Sequence, residues 1–358
     1  MAKTETQISE KTVMKREAIE TLARVLEPFS PVTDLSELSG FVLFENGRAR
    51  MSDGVIGVDI AFDALDGYAL PVVAFVSSLL SLKSDVQMYV KDDHVFLNGK
   101  KFIGRFTGAL RKRCHAWPDI PAKNIWTALP VGIWTAAQSV SFVADTKQRQ
   151  AFSVVKVSPG QVYAIDTARL ARSAAKNTQA DLLFPLKLLD ACVKAFPDTA
   201  PNAIASDASD RVWLRFGDTV VWSLLPAGDF PTDVLPAVVQ RSKQAGAGYS
   251  ARWVGAKAQA ALARVAPFAK DSLTVIAEGK TLKFSAQSQR GSAEDSVEAE
   301  VVRPFKIEVN PVILADALGR AECCAATDDG QCLVFRRTGW ELILMAMAPT
   351  QSPTGVKE

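Results

Sequence analysis

Ala69-Leu70-Pro71-Val72-Val73-Ala74-Phe75 is the stretch on which the reading of this chain turns. A short apolar run ends in a proline, and apolar residues then recur at helical spacing, with Val72, Phe75, Val76 and Leu79 on one face. Proline suits the first helical position, where its missing N–H costs nothing and its φ is already helical. Three more segments share the pattern: Leu129-Pro130-Val131-Gly132-Ile133-Trp134, Phe184-Pro185-Leu186-Lys187-Leu188-Leu189 and Asn310-Pro311-Val312-Ile313-Leu314. In the helix that begins near Pro185, Leu189, Cys192, Val193 and Phe196 form the predicted buried stripe.

Two further helices are predicted without the proline. One spans 13–26 through Ile19, Leu22 and Leu26; the other spans 250–265 through Val254, Ala258, Ala261 and Val265. Helix starts then fall near residues 15, 71, 130, 185, 250 and 311, a spacing of about 60 that marks an internal repeat. Between helices the pattern is strand-like. Residues 86–90, 94–97 and 101–107 alternate, with turn signals at Asp92-Asp93 and Asn98-Gly99. The predicted unit is one helix with three or four antiparallel strands.

Two proline-bracketed segments group the units in pairs: Trp117-Pro118-Asp119-Ile120-Pro121 and Phe230-Pro231-Thr232-Asp233-Val234-Leu235-Pro236. Extended segments of this kind suit domain exits, and 236–245 is read as linker. The expectation is an α+β chain of three similar domains, 10–121, 122–240 and 241–349, with polar tails at 1–9 and 350–358. A length of 358 residues, 48% of them hydrophobic, supports that many cores.

Bulk properties exclude several classes. Lys+Arg 41 against Asp+Glu 39 leaves +2, so attraction for a polyanion would have to come from placement rather than net charge. The five cysteines (Cys114, Cys192, Cys323, Cys324, Cys332) contain no CxxC pair, which argues against a disulfide framework or structural zinc. Only His94 and His115 supply imidazole, in no nucleophile or metal context, and no phosphate-binding glycine loop is present. No apolar run reaches the length of a membrane span, and the opening MAKTETQISEKT has no secretory core. A cytoplasmic protein with no cofactor, metal or membrane partner is expected; the scarcity of histidine counts only weakly against an enzyme, since carboxylates or lysines also catalyse.

The order and spacing of these segments resemble the bacterial-type DNA sliding clamp, the beta subunit of DNA polymerase III, over about 10–349. Ala164-Ile165-Asp166-Thr167-Ala168-Arg169-Leu170-Ala171 is similar to the family's Ala-Thr-Asp-Gly-His-Arg-Leu-Ala run. Gly228-Asp229-Phe230-Pro231, followed by Leu235-Pro236, resembles its Gly-x-Phe-Pro…Leu-Pro segment; Leu344-Met345-Ala346-Met347 resembles its Val-Met-Pro-Met end. Thr167-Ala168 stand where the family has Gly-His, and Ala346 where it has proline. The resemblance implies a clamp fold with helices inside and sheets outside a ring. It implies a homodimer that encircles double-stranded DNA and tethers a polymerase and clamp loader through short peptide motifs.

Three groups of residues follow from it. Sequence-independent attraction to phosphates falls to Lys187 and Lys194 on one helix and Lys257 and Arg264 on another, with Arg16, Arg24, Arg172 and the Arg111-Lys112-Arg113 run as additions. The same residues also read as ordinary solvated faces. A partner-peptide cleft falls to Arg169, Leu170, Pro236, Ile343, Leu344, Met345 and Met347, methionine suiting an adaptable pocket; 342–347 also reads as a buried strand. The dimer interface falls to an edge strand with Phe102, Ile103 and Phe106, which an internal hairpin would explain as well. The second functional reading is a clamp-fold peptide-binding protein that does not encircle DNA. Gly246-Ala247-Gly248-Tyr249-Ser250-Ala251 matches a dinucleotide fingerprint but follows no strand of a βαβ unit, and Asp328-Asp329-Gly330 reads as a turn.

Overall fold

The computed structural model describes residues 12–30, 40–63, 65–92, 94–107, 117–145, 150–176, 178–207, 210–289 and 291–347. The polar tails, Arg111-Lys112-Arg113, Cys114 and His115 lie outside the described residues. The first repeats give β1 (Thr12–Met14), α1 (Arg16–Leu26), β2 (Phe41–Glu45), β3 (Arg48–Ser52), β4 (Ile56–Ala61), β5 (Tyr68–Pro71), α2 (Val72–Ser81), β6 (Val86–Lys91), β7 (His94–Gly99) and β8 (Phe102–Thr107). Next come β9 (Thr127–Ala128), α3 (Val131–Val140), β10 (Val154–Ser158), β11 (Gln161–Ile165), β12 (Arg169–Ala174), β13 (Leu182–Pro185), α4 (Leu186–Ala195), β14 (Ala203–Ser206), β15 (Arg211–Phe216) and β16 (Thr219–Leu224). The last third holds α5 (Leu235–Gln244), β17 (Ala251–Trp253), α6 (Gly255–Val265), β18 (Leu273–Glu278), β19 (Thr281–Ser288), β20 (Gly291–Val301) and β21 (Phe305–Val309). It closes with α7 (Pro311–Leu318), β22 (Cys323–Ala326), β23 (Cys332–Arg337) and β24 (Trp340–Met345). This is the α+β pattern that the repeat predicts.

Two details differ from the sequence reading. Pro71 and Pro185 stand one residue before their helices, closing β5 and β13 and serving as N-caps, so strand and helix meet with no loop. In α7 the proline is inside the helix, and the Asn310 side chain accepts hydrogen bonds from the N–H groups of Val312 and Ile313 at 2.9 and 3.2 Å. The other difference is α5, a helix where 236–245 reads as linker. Pro236 falls in its first turn, where a proline sacrifices no hydrogen bond, and Ser242 is buried on its inner side.

The chain forms two compact units, 1–135 with 183–226, and 136–182 with 227–358. These bounds divide the 122–240 repeat pair, because β14–β16 join one sheet and β10–β12 another. In unit one, strands run β5-β2-β3-β4-β16-β15-β14-β9, beside a four-stranded sheet β1-β6-β7-β8. Helix α1 buries Ile19, Leu22, Ala23, Val25 and Leu26 and packs on α2 and α4. Phe44, Phe75 and Phe106 form an edge-on series with ring centroids 5.5 and 5.9 Å apart. On α4 the buried face runs through Leu188, Leu189, Ala191, Cys192 and Ala195; Val193, predicted within it, faces outward. That face is turned because α4 packs on both α1 and β16. Trp117 and Trp126 cover a cluster of Ala205, Trp213, Val220 and Trp222.

In unit two, strands run β10-β11-β12-β24-β23-β22-β17-β20-β19-β18-β21. Helix α6 packs on α7, β19 and β20, and α5 lies on β23. The anchor of α5 is Arg336 of β23, whose Nη2 donates to the Ser242 carbonyl at 2.8 Å and whose Nη1 reaches those of Gly246 and Gly248 at 2.6 and 3.2 Å.

Candidate nucleic-acid and partner interfaces

Six of the cations assigned to phosphate contact stand on exposed helix positions: Arg16 and Arg24 on α1, Lys187 and Lys194 on α4, Lys257 and Arg264 on α6. Arg172 lies instead on β12, with its Nε 2.6 Å from Glu341 Oε2. Three of the six carry their own counter-charge. Arg16 Nε is 2.6 Å from Glu20 Oε1, Lys187 Nζ 2.5 Å from Asp53 Oδ2, and Arg264 Nε 2.5 Å from Asp295 Oδ2. Burial alone would push the Asp53 carboxyl up, but the Ile56 N–H and the Lys187 ammonium outweigh it and hold it below the usual carboxylate range. Asp295 is held low by its bond to Arg264 and by the Ser296 N–H. Burial raises Asp190, against the pull of Lys194 one turn along α4. Arg24 and Lys257 make no ion pair among the described residues. The outward positions Val73, Ala74, Ser77 and Leu80 of α2, and Val312 and Ala315 of α7, carry no cation at all.

A cavity of about 660 Å³ opens in unit two beside the end of β24. Met345, Ala346 and Met347 form one wall, Lys306, Ile307 and Glu308 of β21 a second, and Asp329, Gly330 and Gln331 a third; Arg241 of α5 completes it. Of the seven cleft residues assigned by resemblance, the cavity holds Met345 and Met347. Leu170, Ile343 and Leu344 are buried strand residues, and Pro236 is exposed on α5. Arg169 is occupied: Nε bonds Asp166 Oδ2 at 2.8 Å, Nη1 bonds Asp316 Oδ2 at 2.6 Å, and Nη2 donates to the Phe142 carbonyl. Arg241, Glu308, Asp329 and Gln331 are missed by the sequence reading. The signal present was the turn at Asp328-Asp329-Gly330, realised with Gly330 at φ +67°, but nothing local ties it to Arg241. Thioether walls beside the half-buried Arg241 and Glu308 and the exposed Lys306 and Asp329 suit an extended peptide that offers apolar and polar side chains in turn.

The third feature is the way strands meet. In unit one β4 pairs antiparallel with β16, placing Asp59 opposite Val220. In unit two β12 pairs with β24, placing Arg172 opposite Glu341. Each of these seams joins the third strand of one repeat to the last strand of another, and each holds a buried carboxylate. Asp59 is bonded by Arg48 and Arg50; Glu341 is bonded by Arg172 and Arg336. Two strands of the same kinds remain with an open side among the described residues: β8, which pairs with β7 alone, and β20, whose 291–298 stretch pairs with β19 alone. On β8, Ile103 is 72% exposed and Phe102 half-buried, while Phe106 turns inward against Phe75.

This arrangement of helices on antiparallel sheets matches the fold of bacterial DNA sliding clamps. Solved structures with this fold include the DNA polymerase III beta subunit sliding clamp of Bartonella birtlesii bound to griselimycin, at 16% identity and a TM-score of 0.78 over 96% of this chain and 100% of that one. The beta subunit of Thermotoga maritima matches at 16% identity and 0.77, over 96% and 100%. That of Pseudomonas aeruginosa matches at 17% and 0.74, over 94% and 100%. No family model matches the sequence, and no curated protein does. Among the described residues no helix is long and apolar enough to cross a membrane.

Proposed function

We propose that this chain is a DNA sliding clamp: a processivity factor, not an enzyme, that closes as a homodimeric ring around double-stranded DNA. The observation that carries the reading is coverage. The match takes in 96% of this chain and 100% of the Bartonella and Thermotoga clamps, rather than one domain of them. Two copies would leave no open β8 or β20 edge, each filling the other's. Retention on DNA is then topological, and the helix cations add only diffuse attraction. Arg24, Lys194 and Lys257 carry most of that term, since the other helix cations are paired with carboxylates. The cavity lined by Met345 and Met347 receives short peptide segments of a polymerase and a clamp loader.

A second reading, a clamp-fold peptide-binding protein that does not encircle DNA, draws on the paired cations and on the uncharged outer faces of α2 and α7. One experiment separates the two. Protein loaded onto closed circular DNA should stay bound through gel filtration and be lost once the circle is cut. Equal retention on circular and linear DNA, or none on either, would favour the second reading.

A further inference from the structure

Sulfur is spread unevenly over this molecule. Met1 lies outside the described residues, and Met14, Met51 and Met88, on β1, β3 and β6, are buried at 5%, 1% and 1% exposure. Met345 and Met347 alone among the described methionines are partly exposed, and both stand in the wall of the cavity of about 660 Å³. The thiols offer little competition. Cys192, Cys324 and Cys332 are buried, and burial pushes each of them up, so their reactive thiolates are scarce at neutral pH. Cys323 is half-buried, and its Sγ donates to the Arg336 carbonyl at 3.7 Å. A thioether needs no deprotonation to react, so the sulfur open to oxidants gathers at one cavity.

We propose that Met347 is a modification site oxidised by hydroperoxides, with Met345 following it, and that the sulfoxide closes the cavity to the apolar side chains of a peptide. The closure rests on the peptide-cavity reading above; the site itself does not.

Backbone bonds hold this segment to its neighbours. The Met345 N–H donates to the Ala168 carbonyl at 2.9 Å, that of Ala346 to Gln331 at 2.7 Å and that of Met347 to Glu308 at 2.9 Å. The segment cannot carry a changed side chain away from the cavity without giving up these bonds. The two sulfurs differ in one respect. Cys332, which pairs with Met345 between β23 and β24, donates its thiol hydrogen to Met345 Sδ at 3.5 Å. The sulfur lone pair is the nucleophile in oxidation, and a donor bound to it holds electron density back. Met347 has no such partner among the described residues, so it reacts first.

The step moves two electrons. The Met347 sulfur attacks one oxygen of the hydroperoxide, the O–O bond breaks as the S–O bond forms, and the proton passes to the departing oxygen. Sulfur is oxidised to the sulfoxide, and the hydroperoxide is reduced to an alcohol or water. A flexible apolar group thereby becomes a polar, chiral one. Arg241 and Lys306 line the same cavity and supply the donors that a sulfoxide oxygen takes. Covering that oxygen with a leucine or phenylalanine side chain would strip it of partners, and this penalty turns the peptide away. Reversal needs a methionine sulfoxide reductase and a dithiol: two thiols become a disulfide, and the oxygen leaves as water.

Limiting hydrogen peroxide applied to the folded full-length protein, followed by proteolytic mass mapping, tests the site. Oxygen should enter Met347 first, Met345 second, and Met14, Met51 and Met88 last. Dithiothreitol identifies the sulfur oxidised, since it reverses a disulfide or sulfenic acid at Cys323 and leaves a sulfoxide in place. First oxidation at Cys323, or equal rates at every described methionine, would overturn the assignment. Cys332→Ala should bring Met345 up to the rate of Met347; an unchanged ratio would remove the thiol from the order of reaction.

The closure is read from the anisotropy of a fluorescein-labelled Leu-Lys-Leu-Glu-Phe peptide, which alternates apolar and charged side chains. Its affinity for the parent chain should fall roughly tenfold after peroxide treatment. In Met347→Leu, whatever its starting affinity, the same limited treatment should change little, because leucine has no sulfur. An equal fall in that variant would place the sensitivity elsewhere. Undiminished affinity in parent protein mapped as oxidised at Met347 would overturn the closure and leave the site standing. A parent chain that never binds the peptide would overturn the cavity reading and the closure together, while the mass maps still decide the site.

Discussion

The seam of unit one and the seam of unit two keep one register with different locks. In unit one the carboxylate, Asp59, belongs to the third strand and is gripped from its own side by Arg48 and Arg50 of β3. In unit two the carboxylate, Glu341, belongs to the last strand and is gripped from both sides, by Arg172 across the seam and by Arg336 of β23. Position for position, Asp59 and Val220 are replaced by Arg172 and Glu341. What repeats is backbone pairing and the alternation of buried side chains; the charges that secure it differ in each copy. The locks also reach different neighbours. Arg48 extends to the Asp218 carbonyl at 2.7 Å, whereas Arg336 extends to the end of α5 and so fastens that helix as well.

The largest effect is expected at Asp59, whose side chain is fully buried between two arginines. Asp59→Ala removes the buried carboxylate that both guanidiniums bond and should cost about 3–5 kcal/mol in chemical denaturation. A loss under about 1 kcal/mol would mean the arginines find water, and the unit-one lock would not be one. Arg336→Ala should cost less, about 2–3 kcal/mol, because Arg172 still serves Glu341. It should also speed proteolytic cutting within 242–250, and unchanged cutting would detach α5 from the lock. Acid tests a further carboxylate of unit one. Asp53 bonds the Val55 and Ile56 N–H groups at 2.8 Å as the chain enters β4. Its folded pKa is lowered, so its stabilisation is present above the unfolded value of about 3.9 and is lost as pH falls through the folded value. Asp53→Asn should flatten the acid limb of the stability profile; an unaltered limb would remove Asp53 as its source. The smallest effect falls at Arg215, which occupies in unit one the place of Arg336. It stacks over the Trp126 ring at 4.0 Å rather than serving a carboxylate. Arg215→Ala should cost about 0.5–1 kcal/mol, and a loss equal to that of Arg336→Ala would erase the contrast.

Much of the fold is legible in the sequence, because its signals are local. Prolines close strands at Pro71 and Pro185, apolar spacing marks α1, α2 and α6, and the recurrence near 60 residues exposes the repeat. Helix α5 escapes because Pro231 and Pro236 speak for an extended chain until packing on β23 decides otherwise. The interfaces are less legible, because they are made of distant residues. Leu170 and Ile343 have the composition of a cleft wall and of a core strand alike, and only tertiary burial separates the two. Arg172 reads as a surface cation until Glu341, 169 residues later, is brought across the seam. Arg241 and Asp329 meet at one cavity with nothing in their local sequences to link them.

The central claim is that two copies close on each other through the open edges of β8 and β20. Imaging the purified protein at micromolar concentration by negative-stain electron microscopy tests it most directly. The account predicts closed rings of about 77 kDa, twice the 38.6 kDa of one chain. A field of single open chains for the unaltered protein would contradict it.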